Sequence, residues 1–197
     1  MIVGIAEKMV NTFLENQVID EENTEAYKYG MELLVSQVIS IGVVLILGIL
    51  LGRVWETLLF LIFFIAIRVY AGGYHASCYR NCILGFSISY IGILFLGEWI
   101  RKEQLEYFVI VCLVLADIII YILAPIEDRN KPLDSKEYIE YRKKARKKTV
   151  LMSGIIYVVY GFIPFMRGEI LYAGLAICEI GVLLLIGYVK NKKLLVR

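Results

Sequence analysis

Long apolar runs separated by short polar links set the outline of this chain. Four runs cover about residues 31–51, 55–70, 82–100 and 105–124, and two more cover 150–165 and 170–189. Several approach or exceed the ~18–20 residues that carry an α-helix across a bilayer core. The links are Arg53, a glycine-centred stretch before Cys82, Arg101-Lys102-Glu103-Gln104, and one long hydrophilic segment, 126–149, that follows Pro125. This pattern predicts an all-α, polytopic membrane protein with about six transmembrane helices. Ahead of them, Ile2, Ala6, Met9 and Phe13 recur at helical spacing, with Glu7, Lys8, Asn11 and Glu15 on the other side. Residues 1–20 therefore read as an amphipathic helix, lying either in the membrane interface or on the protein's own cytoplasmic face. The first residues lack the basic region and small-residue cleavage site of a signal peptide.

Composition sharpens this outline. The 197 residues are 59% hydrophobic with mean hydropathy +0.71, well above a soluble domain. They are expected to form a single membrane-embedded domain over 1–197. A net charge of +2 gives no nucleic-acid footprint. Between Pro125 and Val150 lie nine basic residues, and Lys190, Lys192, Lys193 and Arg197 form a basic tail. The positive-inside rule assigns the 126–149 loop and the tail to the cytoplasm. Counting back through alternating spans puts both termini, and the stretch before Cys82, on that side. The basic loop suits anionic lipid, or an acidic peptide partner.

The chemistry concentrates in Arg68-Val-Tyr-Ala-Gly-Gly-Tyr-His75-Ala-Ser-Cys78-Tyr-Arg-Asn-Cys82. His75 is the only histidine, so a multi-histidine metal centre is excluded, and no cofactor is indicated. Imidazole and thiol are the pair that most readily yields a nucleophile near neutral pH. In one continuous helix His75 and Cys82 would share a face but stand about 10 Å apart along the axis. Gly72-Gly73 permits the bend that would close this gap. Asn81 is then a plausible N-cap, with Cys82 at the positive end of the next helix, where thiolate is favoured. Bare spacing favours Cys78 instead, and a lone histidine beside two inert cysteines is an equally good account of the residues alone. Cys112 and Cys178 lie in apolar runs and read as packing residues. Asp117 and Glu179 are costly intramembrane carboxylates that call for partners. Arg68 suits either lipid headgroups or a substrate carboxylate.

Arg68, Gly72-Gly73, His75 and Cys82, set between the second and third apolar runs, together resemble the accessory gene regulator B family. The likeness extends over most of the chain and includes Asn130-Lys131-Pro132-Leu133 in the basic loop. That family comprises membrane cysteine endopeptidases of Gram-positive quorum sensing. They cleave the C-terminal part of a small propeptide through an acyl-enzyme thioester and take part in closing a thiolactone or lactone. The resemblance implies catalytic His75 and Cys82, with Arg68 and Gly73 at motif positions expected to bind substrate. It also implies a homodimer in the cell membrane, with the active site facing the cytoplasm. The competing expectation is a small peptide transporter without proteolytic activity, to which Asp117 and Glu179 would matter most.

Overall fold

Backbone placed in lipid must satisfy its own hydrogen bonds, so apolar runs of this length fold as helices. A computed structural model describes residues 2–20, 24–74, 78–127 and 133–195. The helices are α1 (Ile2–Glu15), α2 (Thr24–Leu50), α3 (Val54–Ala71), α4 (Tyr79–Lys102), α5 (Glu106–Leu123), α6 (Ser135–Phe162) and α7 (Arg167–Leu195), with a 3-10 turn at Pro164–Met166 before α7. Helices α2, α3, α4, α5 and α7 are long and apolar enough to cross a membrane. The chain is thus a multi-pass membrane protein, with five such helices among the described residues. The count of six included the 150–165 run, most of which lies in α6. The last 18 residues of α6 still contain Arg146, Lys147 and Lys148, too many charges for an apolar span.

Helix α6 departs most from the expected layout. Residues 135–149, expected as loop, are the first half of a continuous 28-residue helix. Its start is fixed by a reciprocal cap: Asp134 Oδ1 accepts from the Lys136 and Glu137 amides at 2.7 Å. Glu137 Oε2 in turn accepts from the Asp134 amide at 3.2 Å. Such caps satisfy backbone donors that no helical carbonyl reaches. The Asn130-Lys131-Pro132 part of the family-like stretch lies outside the described residues, as does His75.

Helix α7 is the core of the bundle, packed against α3 and α5. Buried side chains run along it from Ile170 to Ile177, then Ile180 and Leu184. Small residues let α5 come close: a Cβ on Gly181 would lie 3.2 Å from the Ala116 Cβ, and one on Gly174 3.1 Å from Val109 Cγ1. Outward-facing Ile62, Ile88, Phe95, Leu115, Ile118 and Ile122 leave an apolar exterior suited to lipid. Helix α1 buries Ala6 and Val10 against α2, and Lys28 reaches Glu7 at 2.6 Å. Val3 and Ile5 stay exposed beside that contact, so α1 rests on the protein and still offers apolar groups outward.

Contacts between helix ends sort the links into two faces. At one face Arg53 Nη2 meets Glu98 Oε2 at 2.8 Å, and Gly168 lies against the Arg101 guanidinium. At the other, the Ile126 amide donates to Ala71 O at 2.9 Å and the Gly73 amide to Ile126 O at 3.3 Å, an isolated parallel bridge. The Asn191 side chain joins this second face by donating to Glu127 O at 3.2 Å.

Candidate active site

The site is assembled where α3 ends and α4 begins. Helix α3 stops at Ala71 because Gly72 and Gly73 take φ of 64° and 120°, a region that side chains with a Cβ rarely enter. The turn that results is pinned from three directions. Gly72 and Gly73 bridge to Ile126, and the Tyr74 amide donates to Leu183 O of α7 at 3.1 Å. From within α3, Arg68 folds over the turn: Nη1 donates to Gly72 O, and Nη2 to Tyr74 O at 2.7 Å. A Cβ on Gly73 would collide with Arg68 Nη1, and one on Gly187 would come within 2.9 Å of the Tyr74 nitrogen. The Gly-Gly pair therefore makes room for the arginine as well as for the bend.

Helix α4 starts three residues earlier than expected. Its N-cap is Cys78, in extended conformation and without a side-chain cap, rather than Asn81. The Cys82 amide is consequently spent on Cys78 O at 3.2 Å. Cys82 still sits near the N-terminal end of α4. The two thiols differ in setting: Cys78 is exposed, whereas Cys82 is partly buried. Cys112 and Cys178 are partly buried within α5 and α7, away from this helix end.

Cys82 lines a cavity of about 300 Å³. Its walls are mostly apolar, with Ile41, Phe64, Phe86, Leu183 and Ile186 prominent. Polar groups enter from α2 (Gln37, Ser40), α3 (Arg68), α4 (Asn81, Ser89) and α7 (Glu179). The Arg68 guanidinium is within electrostatic reach of both Cys82 and Glu179. Gly85, one turn beyond Cys82, also lines the space, and a Cβ there would meet nothing within 4 Å. Gly73 shapes the cavity's edge through Tyr74 and Arg68. Tyr74, the residue before His75, is on the wall as well, so the chain leaves the described residues at the rim of this cavity.

The two intramembrane carboxylates part company. Asp117 is held by α6, accepting from Ser153 Oγ at 2.6 Å and Tyr157 Oη at 3.2 Å. It is not a wall of the cavity, and among the described residues it forms no ion pair with Arg68. Glu179 is a wall. Of the other lining groups, Gln37 and Ser40 stand out in the sequence as polar residues in an apolar run. Ser89 carries the same signal within the 82–100 run, and Gly85 carries none. No cluster of metal-ligating side chains occurs among the described residues.

The family model for accessory gene regulator B matches residues 6–189. The chain belongs to the accessory gene regulator B family. An AgrB-like protein 2 of Clostridium perfringens strain 13 is 33% identical over 163 residues, spanning 80% of this chain and 74% of its own. An AgrB-like protein of C. perfringens strain SM101 is 35% identical over 152 residues, covering 75% and 68%. One from Listeria innocua is 23% identical over 165 residues, covering 83% and 78%. No solved structure matches the chain. Membership in AgrB ties the protein to quorum-sensing peptide processing in a membrane.

Proposed function

We propose that this AgrB-family protein is a membrane cysteine endopeptidase that cuts the C-terminal part of a small autoinducer propeptide, with Cys82 as nucleophile and His75 as its acid and base. The observation that carries the reading is the setting of Cys82. It stands near an α-helix N-terminus, partly buried, on the wall of a cavity large enough for a peptide side chain. Thiolate Sγ attacks the scissile carbonyl near the N-terminal end of α4, whose dipole favours the developing oxyanion. His75 takes the thiol proton and returns it to the leaving amine. The remaining acyl-enzyme thioester keeps enough group-transfer potential for a thiol or hydroxyl of the peptide to capture it. That capture yields a ring and frees Cys82. Apolar walls favour ring closure over hydrolysis by holding water away. Arg68 serves the substrate twice, as a wall of the cavity and as the clamp on the Gly72–Tyr74 turn, and Gly73 makes that clamp possible.

The reading extends to topology. Helix α6 starts on the face that holds residues 72–74 and 126–127, and its end leads into α7 beside Arg101 on the opposite face. We take α6 as a sixth crossing, whose apolar half lies in the bilayer and whose basic half extends from it. Both termini and the Cys82 site then belong to the cytoplasmic side of the cell membrane, where the basic residues concentrate.

Cleavage of a cognate propeptide by purified membranes tests the assignment. Cys78→Ala is expected to cut like wild type, while Cys82→Ala and His75→Ala yield no product. Full activity of Cys82→Ala would refute the mechanism and bring the transporter reading forward.

A further inference from the structure

Glu179 is a carboxylate on the cavity wall whose chemistry the reaction above leaves unused. Its Oε1 accepts from Ser89 Oγ of α4 at 2.5 Å. Its Oε2 is buried and has no hydrogen-bond partner among the described residues. An acceptor in that state costs the full loss of its hydration, more for a charged group than the ~1–3 kcal/mol of a neutral one. A ligand entering the cavity therefore gains by bringing a donor to it. Arg68 does not fill this need: its terminal nitrogens donate to Gly72 O and Tyr74 O, and among the described residues Glu179 Oε2 accepts from neither.

The charges around the cavity select the kind of donor. Arg68 and Glu179 are groups of opposite formal charge, within walls formed by Phe64, Phe86 and Leu183. An ammonium would leave a net positive charge in apolar surroundings, whereas an amide N–H would not. Helix geometry gives the register. Ser89 lies seven residues beyond Cys82 in α4, about 10 Å along the axis. An extended peptide covers that span in about three residues, at about 3.3 Å each.

Resting on the peptidase reading, we propose that Glu179 is a substrate-binding residue whose Oε2 accepts a main-chain N–H of the peptide, about three residues from the bond cut at Cys82. The peptide is thus read at its backbone inside the bilayer, with its side chains received by the apolar walls.

A series of propeptides tests this, each with one main-chain N–H replaced by an ester oxygen at a position other than the scissile bond. With wild-type enzyme, the ester about three residues from the cut raises KM by about 10-fold or more, the worth of a hydrogen bond to a charged group. With Glu179→Leu, the all-amide peptide already shows the raised KM, and that ester adds nothing further. Glu179→Gln keeps the shape of the site and gives a reduced ester penalty, which carries the test should the Leu variant fail to fold. Equal ester penalties in wild type and the Glu179 variants would overturn the proposal while leaving the peptidase intact. Failure of wild type to cleave the all-amide peptide would overturn both.

Discussion

Replacing Gly73 by Ala probes how the site is held. The new Cβ would occupy the place of Arg68 Nη1 and approach Leu183 O to 3.3 Å, with the backbone at φ 120°. Neither the turn nor α7 can give way without breaking the Tyr74–Leu183 hydrogen bond, so the guanidinium must withdraw. It then loses its bonds to Gly72 O and Tyr74 O, each worth about 1.5–3 kcal/mol as a charge-assisted bond. The positive φ costs an alanine about 1 kcal/mol or more besides. Together these come to about 4 kcal/mol at the low end. A whole domain has only about 5–15 kcal/mol of stability, so the turn should release before the bundle unfolds. At about 1.4 kcal/mol per decade, the ordered turn becomes at least 100-fold rarer. Propeptide cleavage by Gly73→Ala should fall by a similar factor, with helical circular dichroism nearly unchanged. Gly42→Ala is the control, since a Cβ there meets nothing within 4 Å. Cleavage by Gly73→Ala within about threefold of wild type would refute the idea that Arg68 and the turn must interlock.

Two further outcomes are expected. Gly85→Leu projects into open space beside Cys82, and leucine favours a helix over glycine by up to about 1 kcal/mol. The variant should fold at least as well as wild type and lose peptide cleavage, as read by thermal unfolding alongside turnover. Asp117→Asn keeps acceptor and shape toward α6, so cleavage should match wild type, while Asp117→Leu leaves Ser153 and Tyr157 unpaired and should cost about 1–3 kcal/mol in unfolding experiments.

The helices were largely legible because each long apolar run had to become one. The α3 boundaries were expected at 55–70 and fall at Val54–Ala71, since a glycine pair is a strong stop. The ends of α2 and α6 were hidden by composition. Polar residues such as Glu25 and Lys28 extend α2 beyond its apolar run, and the Asp134–Glu137 cap begins α6 amid basic residues that read as loop. Cys82 was singled out over Cys78 by the resemblance to AgrB, since bare spacing from His75 favoured Cys78. Which carboxylate joined it could not be read, because Asp117 and Glu179 differ only in what α6 and α4 bring to them. The clamp by Arg68 was equally hidden, since a guanidinium curling back on its own helix end leaves no spacing signature.

The position of α7 at the centre of the bundle bears on the order in which the protein is made. The Cys82 helix emerges from the ribosome long before the segment that supplies Leu183 O to the Gly72–Tyr74 turn and Glu179 to the cavity. Domains acquire structure from the N-terminal end during synthesis. A nascent chain that has already inserted α3 and α4 therefore holds its cysteine beside an unbraced turn and an open wall. Only insertion of the last helix completes the pocket, so on the proposed reading premature termination leaves an inert chain.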